Sequence, residues 1–392
     1  MKKSPRALMI LALAALPGVL SARGETAAPE IVFLGRETLR DPFVSDLTAP
    51  PADQGLLGAR LGLADSLAAT KFLPAEKRVN WRLDTPALEA DAVAAARAAA
   101  DHGARLFIAD LPADELLAVA DALRESGAVI LNSGALDARL RGKDCRANLL
   151  HVAPSQDMLA DALMQFLVVK RWTRALLLRG AHDEDVSVAE AFQASAKKYG
   201  VKIVAEKIWS EESEHRRTAA GDAPAATQGP EHDVVLVADA LDHFGEAIAY
   251  NTYAARPVVG THGLTPKIWG EMFDQWGSEQ LQQRFRKLSG RAMAEKDWTA
   301  WLAVRALTQA ATRAGSTDAA AVRAALRNDA FGLDGFKGRA LNFRPWNGQL
   351  RQPIHLVQPH AVVSVSPQDG FLNQRTDLDT LGEDEQESKC RR

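Results

Sequence analysis

Basic side chains cluster after a short apolar run at 128–131. They comprise Arg139, Arg141, Lys143 and Arg146. The same stretch carries fewer acids, Asp137 and Asp144. Guanidinium and ammonium groups form charge-assisted hydrogen bonds with carboxylates, so the cluster predicts contacts with an anionic ligand, Lys143 foremost. The alternative is a solvated charged loop.

A second candidate cation, Arg179, follows the apolar run 174–178. It could contact the same ligand from the opposite side, or form a salt bridge with Asp183 or Asp185. The run 182–185 (His-Asp-Glu-Asp) has metal-ligand residue types. Consecutive residues rarely face one ion together, so we predict no metal site there.

Tryptophans at helical spacing could supply flat apolar surfaces for an aromatic ligand. Trp269 and Trp276 are seven apart and Trp298 and Trp301 three apart, so each pair shares a face if the segment is helical. Stacking on such a ring adds about 0.5–1.5 kcal/mol beyond burial. Packing in a hydrophobic core is the alternative for each of them.

Motifs of nucleophilic, metal and redox enzymes are missing from the sequence. It contains no Gly-x-Ser-x-Gly, no His-Glu-x-x-His and no Cys-x-x-Cys. The glycines at 55, 58 and 62 lie within a helical pattern and do not follow a strand, so they do not predict a phosphate-binding loop. We therefore predict a protein that is not an enzyme.

The elements that must position these residues alternate between strands and helices. In the first half, strands are predicted at 31–34, 78–83, 106–109 and 128–131, and helices at 55–69, 87–102 and 114–126. In the second half, strands are predicted at 174–178, 201–207, 233–238 and 257–260, and helices at 157–170, 187–199 and 243–253. The pattern predicts an α/β protein with two doubly wound, Rossmann-like lobes. Ligands of such sheets lie beyond the carboxyl ends of the strands, so the candidate loops are the strand-end segments 35–46, 110–114, 132–144, 179–185, 239–243 and 261–266.

Three other segments complete the organisation. Residues 218–230 are rich in Ala, Gly and Pro and predict a flexible insertion. Residues 297–357 predict a helix ended by Gly315, a second helix capped at 316–318, and a hairpin about Asn347-Gly348. The polar, acidic tail 366–392 is expected on the surface or mobile.

The N-terminus predicts export. A basic start and a short apolar run precede small residues, so 1–22 is a predicted signal peptide, with cleavage after Ala22 or as late as Ala28. A membrane anchor is the alternative, but the run is short for a span and no later run is long enough. A net charge of −3 gives no global basic surface for nucleic acid. In an oxidising periplasm, Cys145 and Cys390 could pair; two unrelated thiols are the alternative.

Several segments resemble the ABC-transporter substrate-binding proteins of the Leu/Ile/Val-binding type. They are GAVILNSGALDARLRG, NLLHVAPSQDMLADALMQFLV, RALLLRGAHDEDVSVAEAFQASAKKYGVKIV, VVLVADALDHFGEAI and VVGTHGL. The resemblance implies a type I periplasmic binding protein fold with a multi-strand hinge. It implies lobe one at 30–152 plus 267–333, lobe two at 153–266 plus 334–365, and an ABC permease as partner.

The resemblance also assigns candidate contacts. Ser133 and Gly134 lie in the loop after a first-lobe strand. Trp298 matches a helix start beside the cleft, with Trp269 as second choice. Positions on the cleft rim or hinge are His151, Asp183, Asp239 and His262.

Departures from this family narrow the ligand expectation. Residues 70–74 and 110–114 lack the Gly-Gly turn and the serine-rich loop usual for amino-acid binders. The segments DPFVSDLTAPPADQGLLGARL, GTHGLTPKIWGEMFDQWGSEQL and LDTLGEDEQESKC resemble a subgroup associated with pyrroloquinoline-quinone-dependent alcohol dehydrogenase systems. That implies pyrroloquinoline quinone, or a related anionic aromatic, as bound ligand. The alternatives are a branched-chain or small amino acid receptor, and a periplasmic accessory or sensor protein of a quinone-dependent dehydrogenase.

Overall fold

The first of two parallel sheets forms the centre of the first lobe. The computed structural model describes residues 28–36, 50–88, 91–209 and 219–391. The sheet has the order β2-β1-β3-β4-β5, with strands β1 Glu30–Gly35, β2 Arg82–Asp84, β3 Leu106–Asp110, β4 Val129–Asn132 and β5 Leu149–His151. Its helices are α1 Leu56–Thr70, α2 Ala92–Asp101 and α3 Ala113–Ala122. Strands β1, β3 and β4 are largely buried, as their continuous apolar runs predict, whereas the edge strand β2 is partly exposed.

The second sheet repeats this design in the second lobe. Its order is β7-β6-β8-β9, with strands β6 Arg174–Arg179, β7 Lys202–Ile208, β8 Val234–Ala238 and β9 Val258–Gly260. The helices are α4 Gln156–Val169, α5 Asp183–Tyr199, α6 Ala219–Thr227 and α7 Gly245–Ile248. All pairings within it are parallel. The predicted α/β class with two lobes is confirmed.

Short antiparallel sheets and three helices complete the chain. One sheet joins β10 Thr265–Lys267, β14 Ile354–Gln358 and β15 Ala361–Ser366. The other joins β11 Leu333–Asp334, β12 Ala340–Phe343 and β13 Leu350–Arg351. The helices are α8 Ser278–Ser289, α9 Glu295–Ala314 and α10 Ala319–Leu326. The hairpin about Asn347-Gly348 and the stop at Gly315, which adopts the left-handed conformation, lie where the sequence predicts them.

The chain crosses between the two lobes more than once. It passes from β5 to α4, and from β9 to β10. Gln349 forms a β-bridge with His151, and the side-chain amide of Gln352 donates to the Val152 carbonyl at 2.9 Å. These contacts tie the crossing segments together. The lobe boundaries given above stay a prediction.

Two helices of the first lobe cross at unusually close range. An added Cβ at Gly58 of α1 would lie 2.0 Å from the Asp297 carbonyl oxygen of α9. An added Cβ at Gly62 would lie 2.7 Å from the Trp301 carbonyl oxygen. These two glycines therefore allow α1 and α9 to approach each other closely. Asp297 is fully buried and accepts from the Gly55 amide at 2.9 Å and from Arg291 at 2.6 Å.

Three predictions about elements differ from the structure. The helix predicted at 243–253 is reduced to α7, because the side-chain amide of Asn251 donates to the Ala247 carbonyl and occupies an acceptor of the next turn. The segment 269–276 is not helical, and Trp276 has a positive φ of 53°, so the condition under which Trp269 and Trp276 would share a helical face is not met. The described part of the expected insertion at 218–230 contains α6. Its alanines favour a helix, and Ala223 is buried.

The third difference concerns one part of the tail, whereas most of its other described residues are exposed or half-buried, as predicted. Leu378 and Leu381 are buried, and Asp379 lies between two buried arginines, Arg344 and Arg351, at 2.9 and 2.8 Å. Burial of the two leucines and the ion pairs of Asp379 therefore fix this part of a segment whose acidic composition predicted a surface location. Cys145 and Cys390 are joined by a disulfide.

The signal peptide prediction lies outside the described residues, as does most of the strand-end segment 35–46. Within the described part of the chain, helices fall short of the length and apolarity that crossing a bilayer requires.

Candidate ligand-binding site between the lobes

A cavity of about 550 Å³ lies beyond the carboxyl ends of the second-lobe strands, where it meets the first lobe. We call it the acidic cavity. Strand-end loops after β8 and β9 form one wall, α4 and α5 a second, and the crossing segments β10 and β14 the base. From the first lobe come Leu136, Met272 and Glu295. The volume suits a small ligand.

Polar groups gather at the second-lobe end of this cavity. Ligand atoms of Asp239, Asp242 and His262 lie within 4.8 Å of one another. His262 Nε2 is 2.7 Å from Asp242 Oδ1, and its Nδ1 is 3.0 Å from the Thr261 hydroxyl. Among the described residues, these three carry metal-ligand atoms that lie close enough together to hold a cation. They could equally accept hydrogen bonds from an ammonium group.

Backbone amides fix the position of Asp239 at the end of β8. Its carboxylate accepts from the amides of His243, Phe244 and Gly245 at 3.0, 2.8 and 2.6 Å. Its own amide donates to the Thr261 hydroxyl. The acid is therefore held in place by α7 and by the neighbouring strand end.

A buried carboxylate supports this loop from behind. Asp185 of α5 accepts from the Ala240 amide at 2.6 Å and from the His182 amide at 3.3 Å. Burial raises the pKa of Asp185, while the Ala240 hydrogen bond opposes that shift. An added Cβ at Gly180 would lie 2.0 Å from its carboxylate oxygen. Asp185 thus joins the strand ends of β6 and β8.

The opposite side of the acidic cavity is apolar. The side chains that share this character are Leu136, Leu159, Val188, Phe192, Met272 and Val357. The cavity as a whole carries four carboxylates, Asp239, Asp242, Glu246 and Glu295, against one lysine, Lys267. The formal charge of the cavity is therefore negative, with or without a charge on His262.

First-lobe strand ends form a separate interaction network. Asp110 at the end of β3 pairs with Lys296 at 3.0 Å, and burial raises the pKa of Asp110 against the opposing lysine charge. Gly134 packs against the Asp110 carboxylate, since an added Cβ there would lie 2.0 Å from it. The Ser133 carbonyl accepts from the Thr299 hydroxyl at 2.6 Å. Neither Ser133 nor Gly134 lines the acidic cavity.

The predicted cation cluster is used mostly within the protein. Arg139 pairs with Asp114 and Asp144, and Arg146 pairs with Asp121. Arg141 is buried and donates to Gln349 at 2.8 Å and to two main-chain carbonyls at the lobe crossing, and burial lowers its pKa to about 9.

Lys143 is exposed and lines a second cavity of about 470 Å³. We call it the tail cavity, because residues 382–389 of the tail form one of its walls. Its other walls are the loop 138–143, α4 and α5. Ala191 lines both cavities, so they adjoin.

Arg179 does not form the predicted salt bridge with Asp183 or Asp185. Its Nε donates to Glu206 at 2.6 Å on the adjacent strand β7. The parallel pairing of β6 with β7 brings that acid closer than Asp183 or Asp185. Asp183 is exposed at the start of α5, outside the acidic cavity.

The two tryptophans proposed as stacking plates lie in the core. Trp269 and Trp298 stack on each other with ring centroids 5.7 Å apart, and their exposed fractions are 1% and 0%. The Trp298 indole donates to the Gly335 carbonyl, and Lys337 lies over its ring at 4.3 Å. A ligand would have to displace this packing to reach either ring. Both tryptophans therefore pack in the hydrophobic core, which was the alternative to a role in ligand binding.

His151 is also buried, 3.2 Å from the Asn132 amide between two strand ends. Of the predicted contacts, the acidic cavity brings together Asp239 and His262. Sequence reasoning missed Asp242, which lies in the expected loop 239–243 and could have been included. It also missed Glu295, which no local pattern connects with the second lobe.

Comparisons with known proteins agree with this architecture. The sequence profile of the family described as periplasmic binding protein matches residues 43–248 and 224–361. No curated protein matches the chain significantly.

Solved structures share the fold across nearly the whole chain. A periplasmic binding protein of Burkholderia mallei is 16% identical, with 93% of this chain and 98% of that chain covered and a TM-score of 0.65. A branched chain amino acid ABC transporter periplasmic ligand-binding protein of Burkholderia xenovorans is 14% identical, with 92% and 99% covered and a TM-score of 0.72. An ABC-transporter solute binding protein of Rhodopseudomonas palustris in complex with 3,4-dihydroxy benzoic acid is 10% identical, with 84% and 92% covered and a TM-score of 0.58. The chain belongs to the periplasmic binding protein family.

Proposed function

We propose that this protein is a receptor for a small amphipathic solute with an ammonium group, such as a branched-chain amino acid. Closure of the lobes traps the solute, and an ABC permease receives it. The observation that carries the proposal is the division of the acidic cavity into a carboxylate-rich end and an apolar wall. A relative whose name states a branched-chain amino acid transporter supports the same ligand class.

The chemistry of the cavity assigns a part to each region. Asp239 and Asp242 accept hydrogen bonds from the ammonium group, each worth about 1.5–3 kcal/mol when charge-assisted. Leu159, Val188 and Phe192 surround the apolar side chain, and removal of its surface from water contributes about 25 cal/mol per Å². Lys267 and Thr261, which also line the cavity, serve the ligand carboxylate.

Isothermal titration calorimetry with leucine, isoleucine and valine tests this assignment, on protein unfolded and refolded to remove any bound solute. Asp242→Asn keeps an oxygen that can accept from His262 but removes the charge. We expect it to weaken binding at least tenfold, which corresponds to about 1.4 kcal/mol. Asp183→Asn is the matched control, because that acid is exposed outside the cavity. Unchanged affinity in Asp242→Asn would refute the role of the acidic end.

Pyrroloquinoline quinone, or a related anionic aromatic, remains the second candidate ligand. The tail cavity favours it, because two exposed lysines, Lys143 and Lys389, line it. The complex of a related fold with 3,4-dihydroxy benzoic acid shows that the fold can be crystallised with an aromatic acid. Three observations stand against it: the buried tryptophans, the charge of the acidic cavity, and four carboxylates in the tail cavity itself, Asp157, Asp161, Glu383 and Glu387.

Titration with the quinone separates the two candidates. If it is the ligand, binding heat appears with the quinone and is reduced by Lys143→Gln, while the amino acids give none. Heat with leucine alone excludes it. The partner is tested by affinity capture from detergent-solubilised membranes: recovery of a permease subunit supports transport, and recovery of a quinone-dependent dehydrogenase supports an accessory or sensor role.

A further inference from the structure

The tail is anchored first to the second lobe. Tyr199 of α5 donates to the Thr380 carbonyl at 2.6 Å, and Lys198 donates to the Gly382 carbonyl at 3.0 Å. The Gly382 amide in turn donates to Asp161 of α4 at 2.8 Å. Since α4 and α5 pack against each other and α5 packs on the second sheet, this part of the tail moves with the second lobe.

The tail then ends on the first lobe. Cys390 is bonded to Cys145, which lies between β4 and β5 of the first sheet. The residue next to Cys145 is fixed to that lobe, because Arg146 donates to Asp121 of α3 at 2.7 Å. The disulfide therefore joins a segment held by the second lobe to a loop held by the first.

Between these anchors runs a short link, residues 383–389, which we call the strap. Its own turns shorten it: the Asp384 carboxylate accepts from the Gln386 and Glu387 amides at 2.8 and 2.9 Å. Glu383 accepts from the Lys389 amide at 3.2 Å. Extended fully, the eight steps from Gly382 to Cys390 reach about 26–29 Å. The link can lengthen to that reach and no further.

We propose that the strap limits how far the two lobes open. Non-covalent contacts across a cleft break when the lobes separate, but the Cys145–Cys390 bond persists, so it sets an upper bound on separation. The strap also forms a wall of the tail cavity, so that wall stays in place as the acidic cavity opens. A narrower open state requires less rearrangement on closure and favours retention of a bound solute. This last consequence rests on the proposed function, whereas the limit on opening does not.

The experiment compares ligand-free chains by small-angle X-ray scattering. One variant carries Cys145→Ser with Cys390→Ser. A second keeps the disulfide and inserts about ten Gly and Ser residues between Ser388 and Lys389. The matched control inserts the same residues between His102 and Gly103, an exposed turn of the first lobe. Circular dichroism and urea unfolding identify variants that are folded.

We expect the long strap and the double serine variant to exceed the insertion control in radius of gyration by a few per cent. Reduction of the wild-type disulfide should give the same expansion. If the folded long-strap variant matches the control insertion, the proposal is overturned. Should the double serine variant fail to fold, the long-strap variant decides alone, because its disulfide is intact.

A binding measurement keeps this inference separate from the proposed function. If wild-type protein binds leucine, the dissociation rate followed by stopped-flow fluorescence should rise several-fold with the long strap. Expansion without any ligand binding would support the strap and contradict the proposed ligand. Ligand binding without expansion would support the proposed ligand and contradict the limit that the strap sets on opening.

Discussion

Gly58→Ala should destabilise the first lobe although alanine is the better helix former. The new Cβ would lie 2.0 Å from the Asp297 carbonyl oxygen and 2.6 Å from its carbonyl carbon. Both are backbone atoms of α9 and cannot rotate away. Overpacking of this kind costs about 1–3 kcal/mol or more, whereas the gain in helix propensity is at most about 1 kcal/mol.

Displacement of α9 should also weaken the hydrogen bonds that depend on the close crossing of α1 and α9. Asp297 accepts from the Gly55 amide, and Glu295, two residues earlier in the first turn of α9, lines the acidic cavity. Moving the start of α9 therefore shifts one wall of the proposed binding site. We expect a net loss of about 1–2 kcal/mol in the free energy of unfolding, together with weaker ligand binding.

Urea unfolding followed by circular dichroism measures the first effect, with the slope of the transition checked for a change in cooperativity. Gly221→Ala is the matched control: Gly221 is an exposed position of α6, where the same substitution should be neutral or slightly stabilising. A Gly58→Ala midpoint equal to or above that of wild type would refute the reasoning, because it would mean that α1 and α9 separate without cost.

Three further predictions concern buried charge and close packing. Asp379→Ala leaves the guanidinium groups of Arg344 and Arg351 buried without their carboxylate, so urea unfolding should show a loss of about 3–5 kcal/mol; a loss near zero would contradict the pairing. Burial lowers the pKa of His355 from 6.5 to about 3, so the folded state binds fewer protons than the unfolded state, and stability is lost as pH falls through that window. His355→Phe should remove up to about 4–5 kcal/mol of that pH dependence, and parallel wild-type and variant curves of unfolding free energy against pH would exclude it. Gly260→Ala places a Cβ 2.2 Å from a strand carbonyl oxygen at a φ of 120°, and a thermal melt should report a loss of about 2–4 kcal/mol; an unchanged melt would show that the strand end adapts.

The accuracy of the sequence predictions followed the range of the interactions involved. Strands such as Leu106–Asp110 and Val234–Ala238 are apolar over their whole length, so a local pattern found them. The helix end at Gly315 and the cap at Asp318 depend on a few neighbouring residues, and both were found. The tail failed the same approach, since Asp379 is buried by two arginines from a hairpin about thirty positions away.

The candidate site shows the same division. Asp239 and His262 could be named because strand ends in a parallel sheet are recognisable from the order of elements. Trp298 carried the right chemistry for stacking, but its exposure is a property of packing, and the stack with Trp269 removes both rings from solvent.

By itself the sequence determined the two-lobed α/β fold, because alternating apolar runs and amphipathic segments can bury their surfaces in few other ways. It also specified which strand-end loops could carry a ligand. Only the tertiary structure decided which cations remain available, since Arg139, Arg146 and Arg179 pair with acids that are 25 to 27 positions away. It also decided that a negatively charged cavity lies between the lobes, because the carboxylates of Asp239 and Glu295 meet there from distant parts of the chain. Charge and apolar surface are read from residues, whereas a site is defined by which of them share a space, and that depends on long-range packing.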